Sequence, residues 1–381
     1  MRILSIFGTR PEAIKMAPVI NALRLQLGED SVKICVTAQH RKMLDEVLQL
    51  FAIKPNYDLN IMQPNQNSTQ VLCKTMSALP PVFNESKPSM VLVQGDTTTT
   101  FSAALAAYFS KIPVAHIEAG LRTHNIYSPW PEEINRSLTA RIAALHFAPS
   151  SLAAKNLRAE GIPTENIVIT GNTVIDSINE IIKLLQQPRI LANIKSKFPF
   201  INPAKKMILV TAHRRENFGA GINHICKALV KIAELHDAQI IFPVHLNPQI
   251  QIPVRSFLQN QPNIFLIEPV NYLHFVYLMQ QSYLILTDSG GIQEEAPALG
   301  KPVLLMRDTT ERPEAIHSGA IKLIGTSEDK IVTEVQQLFQ DKSAYHRMSC
   351  TQHLYGDGKA SQRIVNKITE FTAINAAIAA L

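Results

Sequence analysis

"YLILTDSGGIQEEAPALGKPVLLM", residues 283–306, decides the fold. "YLILT" is an apolar β-rich run that stops abruptly at Asp288, Ser289, Gly290 and Gly291. A helical stretch follows, carrying Glu294 and Glu295, and "PVLLM" resumes the β pattern. Strand, small-residue loop, helix, strand is the repeating unit of a parallel sheet. The runs are apolar throughout rather than alternating, as expected when both sheet faces are covered.

Working outward, the same pattern fills the chain. "RILSIF", "KICVTA", "MVLVQGD", "VAHIEAG", "LHFAPS" and "IVITGN" read as strands of one set. "MILVTAH", "QIIFPVH", "IFLIEP", "YLILTDSG", "PVLLM" and "IKLIGT" read as a second. Two sets of about six predict two doubly wound, Rossmann-like α/β domains, 1–171 and 172–361. The seam lies in "TGNTVIDSINEIIKLLQQ", where Asn172 or Thr173 caps a helix, and the tail, about 362–381, reads as a terminal helix.

With 381 residues the chain exceeds one ordinary core, and 46% apolar with 18% charged residues is a globular composition. The net charge of +6 suits an anionic ligand such as a nucleotide. No basic run supports nucleic acid. Cys35, Cys73, Cys226 and Cys350 form no CxxC pair, which fits a reducing, cytoplasmic setting. No run reaches the ~18 apolar residues that span a membrane. His213 and His245 form no HExxH or tight His/Cys cluster, so no metal is expected. Neither a dinucleotide GxGxxG nor a GxxxxGK[ST] loop is present, so no redox cofactor or ATP is expected.

Ligands of open α/β sheets bind at the carboxyl ends of the strands, and the notable polar residues stand there. Arg10 and Lys15 follow the first strand, either as phosphate ligands or as solvated charges on a capped helix whose Pro18 should kink or restart it. Asp96 ends a strand before four threonines, as a site residue or a helix cap. Glu118, between apolar residues and Ala119-Gly120, is harder to assign to structure alone. Glu132 and Glu133 open a helix at Pro131 with Ile134, Leu138, Ile142 and Leu145 as its expected buried face; the plain reading is macrodipole stabilisation. His213, Arg214 and Arg215 at a strand end suggest anion binding. The Ser289, Gly290, Gly291 loop offers N–H groups and a hydroxyl for a diphosphate. Glu295 then suits neutral ribose hydroxyls beside it, and Arg312 returns positive charge from the next loop.

These motifs together resemble the non-hydrolysing UDP-N-acetylglucosamine 2-epimerases of bacterial type. The resemblance rests on "FGTRPEAIKMAP", "TAQHR", "GDTTTT", "EAGLRT", "PWPEEINR", "GNTVIDS", "HRRENFG", "PVHLNP" and residues 287–315, and covers nearly the whole chain. It implies a GT-B architecture, two Rossmann-like domains facing across a cleft, with the C-terminal helix packed back on the first. It implies interconversion of UDP-N-acetylglucosamine and UDP-N-acetylmannosamine, supplying surface polysaccharide synthesis, in a cytoplasmic homodimer without cofactor. Asp96, Glu118 and Glu132 match the family's catalytic carboxylates, joined by His213. Arg10, Lys15, His213, Arg312 and the Ser289–Gly291 loop match diphosphate groups, Glu295 a ribose ligand, and Phe275 the uracil position. A second UDP-N-acetylglucosamine as activator would involve Gln39, Arg214 and His245; Lys42 and Asn65 depart from residues found there in some members. A GT-B glycosyltransferase, a hydrolysing epimerase and a nucleotide-sugar sensor are the rivals; the first would not need three carboxylates and the last would not need to keep them.

Overall fold

The structure, a computed structural model, describes residues 1–38, 41–63, 66–310, 312–350 and 354–379. The chain divides into two compact units, Met1–Glu180 with Tyr355–Leu381, and Ile181–Leu354. Each is built on its own parallel sheet with helices between successive strands, the doubly wound class read from the apolar runs.

In the first unit the strands are β1 (Ile3–Phe7), β2 (Val32–Val36), β3 (Tyr57–Asp58), β4 (Met90–Gln94), β5 (Val114–Ile117), β6 (Leu145–Ala148) and β7 (Ile167–Ile169). Their order is β3-β2-β1-β4-β5-β6-β7, with every pairing parallel. The sequence reading missed the two-residue β3, too short to leave a pattern. Leu4, Ile6, Val91 and Val93 are fully buried between sheet and helices, each worth about 1.5–3 kcal/mol of apolar burial. The helix Arg10–Leu27 runs unbroken through Pro18, so no restart occurs there. The helix Ala360–Ala379 packs against it, burying Ile364, Val365 and Ile368. Asp176 anchors that helix, accepting from the N–H groups of Ala360 at 3.2 Å and Ser361 at 2.9 Å.

In the second unit β8 (Lys206–Thr211), β9 (Ala238–Pro243), β10 (Ile264–Ile267), β11 (Leu284–Thr287), β12 (Val303–Leu305) and β13 (Ile321–Leu323) lie in the order β10-β9-β8-β11-β12-β13. All pairings are again parallel. In both sheets the order reverses between the first and fourth strands, β1/β4 and β8/β11. At such a switch point the flanking loops turn to opposite faces and leave a crevice beyond the carboxyl ends.

One expectation fails. The helix Glu132–Ile142 buries Glu133, Asn135, Arg136, Thr139 and Ala140 instead of an apolar stripe. Leu138 is 40% exposed, and Leu145 already belongs to β6. The face turned inward meets polar loop ends, and paired charges rather than methyl groups satisfy them.

Candidate functional site

At the switch point of the first sheet, β1 is followed by Gly8 and Thr9. A Cβ on Gly8 would lie 1.9 Å from Thr37 Oγ1, so only glycine fits there. Thr9 caps the helix that Arg10 begins, in a capping box with Glu12. Glu12 is 2% exposed. Its Oε2 accepts from Gly8 N at 2.9 Å and Thr9 N at 2.7 Å, and its Oε1 from Thr97 Oγ1 at 2.6 Å. Burial pushes its carboxyl above the ordinary range against those hydrogen bonds. This side chain therefore ties the loop after β1 to the loop after β4, where Asp96 stands.

Glu118 follows β5 directly. Its φ of +64° is left-handed, a conformation costing a glutamate about 1–3 kcal/mol that the surroundings must enforce. Lys15 Nζ lies 2.7 Å from both Glu118 oxygens. Gln94 Nε2 donates to Oε2, and Asn172 Nδ2 to Oε1 at 3.4 Å. Lys15 and Glu118 are both 8% exposed. The lysine therefore holds a proposed catalytic carboxylate, a pairing not foreseen for it.

Asp96 Oδ2 accepts from Arg136 Nε at 2.9 Å and Nη2 at 2.7 Å. Its carbonyl accepts from Asn135 Nδ2 at 2.9 Å. The preceding Gly95 carbonyl lies 2.7 Å from His116 Nε2. Burial lowers the His116 imidazole to about 3, so it is neutral and donates here. Glu132 is half-buried at the first turn of its helix, while Glu133 beside it is 2% exposed. Thus Glu118 is bonded to Lys15, Gln94 and Asn172, Asp96 is bonded to the helix carrying Glu132, and Gly95, next to Asp96 in the chain, lies near Glu118, a Cβ added there falling 3.9 Å from Oε2.

The second sheet's switch point is organised by Asp288, which is fully buried. It accepts from His213 N at 2.9 Å, Arg214 N at 2.9 Å and Asn217 Nδ2 at 3.1 Å, and pairs with His213 Nδ1 at 3.1 Å. Burial works to raise its carboxyl, but the hydrogen bonds outweigh it and hold it below the usual range. The residue after β11 thereby fixes the loop after β8. The His213 ring stacks on His245 at 5.9 Å. Ser289, Gly290 and Gly291 lead into the short helix Ile292–Ala298, where Gln293 N donates to the Gly290 carbonyl at 3.2 Å and Glu294 N to the Gly291 carbonyl at 2.9 Å, while Ser289 N donates to Thr287 Oγ1 at 2.9 Å. Glu295 turns back to that loop, with Oε1 3.5 Å from where a Gly291 Cβ would stand. Arg312, 7% exposed, gives its Nε to Glu294 Oε1 at 2.7 Å, and Glu294 is itself 1% exposed. Phe275 is half-buried on the helix Tyr272–Gln281. Gln39 and Asn65 lie outside the described residues.

Reasoning from sequence alone missed Glu12, Gln94, Glu133, Arg136, Asn172, Asp288 and Glu294 as organisers. Among the described residues no group of three His, Cys, Asp or Glu side chains could hold a metal ion. No helix among them is long and apolar enough to cross a membrane.

Comparison with known proteins places the chain. The family model described as UDP-N-acetylglucosamine 2-epimerase matches residues 25–369. A UDP-N-acetylglucosamine 2-epimerase of Yersinia pestis is 54% identical, over 97% of this chain and 98% of that relative. That of Escherichia coli (strain K12) is 53% identical over 97% and 98%. The crystal structure of UDP-GlcNAc 2-epimerase from Neisseria meningitidis bound to UDP-GlcNAc matches with a TM-score of 0.93 at 50% identity, covering 97% of this chain and all of that one (100%).

Proposed function

The chain belongs to the UDP-N-acetylglucosamine 2-epimerase family and is an isomerase, and from that premise we propose a mechanism of UDP elimination and re-addition. Carbon 2 of UDP-N-acetylglucosamine carries a weakly acidic C–H with no ketone beside it. Loss of UDP from carbon 1, with loss of that proton, gives 2-acetamidoglucal. UDP then returns to carbon 1 while a proton reaches carbon 2 from the opposite face, giving UDP-N-acetylmannosamine. Two faces require two proton routes, hence several carboxylates.

The observation that carries this reading is Glu118. A buried glutamate, forced into a left-handed conformation at a strand end and held by a lysine and two amides, exceeds what packing requires. In our assignment Asp96, Glu118 and Glu132 move protons. His213 and the Ser289–Gly291 loop, with Arg10 and Arg312, stabilise the leaving diphosphate. Lys15 shares that charge while holding Glu118. Glu295 binds ribose, and Phe275 lies against uracil. Arg214 and His245, with Gln39, are assigned to an activating second UDP-N-acetylglucosamine. We further assign the enzyme to the cytoplasm as a homodimer supplying N-acetylmannosamine units for polysaccharide synthesis. The test is turnover in deuterated water, followed by NMR and mass spectrometry. One solvent deuterium at carbon 2 of the product is expected. Retention of the original hydrogen removes the elimination route.

A further inference from the structure

We infer that Glu133 is a positioning residue: it fixes Arg136 in the place from which Arg136 orients Asp96. The inference rests on the proposed role of Asp96. Both oxygens of the buried Glu133 carboxylate are committed. Oε1 accepts from Thr123 N and His124 N, each at 2.9 Å. Oε2 accepts from Arg136 Nη1 at 2.8 Å. The same guanidinium, 5% exposed, sends Nε and Nη2 to Asp96 Oδ2.

Arg136 is thus a planar fork between two carboxylates, and a fork transmits orientation where a lysine's point charge would not. Asn135 holds the Asp96 carbonyl from the neighbouring helix position. Glu133 also pins the loop that runs on from Glu118, at Thr123 and His124. One helix therefore sets the side chain and main chain of Asp96, and the same helix opens with Glu132. Of the two adjacent glutamates, Glu132 is left half-buried for chemistry, and Glu133 spends its charge on geometry.

Glu133→Gln separates the functions. Its oxygen can stay with the two N–H groups, but its amide then meets Arg136 Nη1 donor to donor and the fork is displaced. A misplacement of this kind costs up to about 10²-fold in rate. We expect kcat to fall on the order of 10–100-fold with KM for UDP-N-acetylglucosamine little changed. In an Asp96→Asn background, Glu133→Gln should cost little more, because both act through one group. Glu133→Asp, shorter by one methylene, repeats the test if the glutamine variant does not fold. The Arg136 Nε–H resonance, assigned by its loss in Arg136→Lys, should shift in either Glu133 variant. Wild-type kcat in the Glu133 variants, losses that multiply with Asp96→Asn, or an unmoved resonance each overturns the inference. A shifted resonance in a protein that never epimerises the sugar instead overturns the reading of the reaction and leaves the coupling standing.

Discussion

Replacing Glu118 with glutamine keeps shape and an acceptor oxygen but removes the base. If Glu118 moves a proton, kcat falls about 10²–10⁴-fold, the range for one acid/base group, or about 3–5.5 kcal/mol in the barrier. Stability falls too, for a separate reason. Glu118 accepts from Lys15 through both oxygens, and hydrogen bonds to charged groups contribute about 1.5–3 kcal/mol. For a unit of about 200 residues each kcal/mol moves the melting temperature roughly 2–4 °C. A drop of about 3–12 °C follows. UDP affinity should not fall, since the proton is on the sugar and Lys15, released from a charged partner, keeps its charge for the diphosphate. Turnover by NMR, UDP titration calorimetry and a melting curve on one preparation separate the effects. Normal turnover well below a lowered melting point would refute the catalytic role and leave Glu118 a structural anchor.

Arg312→Ala should weaken UDP binding and also destabilise the fold, because Glu294 is buried and left without its guanidinium, a loss of about 3–5 kcal/mol. Arg10→Ala should weaken UDP binding by about 1.5–3 kcal/mol with a smaller fall in melting temperature; unchanged UDP affinity would place that arginine outside the diphosphate site. Acid should destabilise the protein through His116 and His146, whose buried rings are lowered from 6.5 to about 3 and about 4. Their unfolded forms bind protons first, so stability is present above pH ~6.5 and is lost as pH falls toward those values, at up to ~1.4 kcal/mol per pH unit per histidine. In urea titrations from pH 7 to 4, His116→Gln should flatten the loss; an unchanged slope would mean the ring is not held neutral. UDP-N-acetylmannosamine alone should be consumed only after a lag, as UDP-N-acetylglucosamine accumulates and activates; immediate full-rate consumption refutes the activator.

Periodicity made the sheets legible because each strand is apolar on both faces, and loop chemistry made the strand ends legible because Gly8, Asp96 and Ser289 break those runs. The partners were hidden. Lys15 and Glu118 stand 103 residues apart, His213 and Asp288 75 apart, and Arg136 and Asp96 40 apart. No local spacing reports such pairs; only the strand order brings them together. Glu132 and Glu133 are chemically identical in sequence, and only burial and the bonds of Glu133 to Thr123, His124 and Arg136 separate them. The helix at 132–142 was misread because hydropathy rewards Leu138, whereas the inward face is built from groups that satisfy one another.

The helix Ala360–Ala379 gives the first unit a timing problem. Its inner face, with Ile364, Val365 and Ile368 fully buried, covers surface laid down at the start of the chain. The second unit, Ile181–Leu354, must be synthesised in between. At about 5–20 residues per second that takes roughly 9–35 s. During that interval the helix Arg10–Leu27 has an uncovered apolar flank, and the second unit can close its own core, which includes Ile331, Val335, Leu338 and Ala344, as soon as the interval ends. The unit that begins synthesis first is therefore the last to finish folding, and nascent chains stopped before residue 360 should be held by chaperones through that flank.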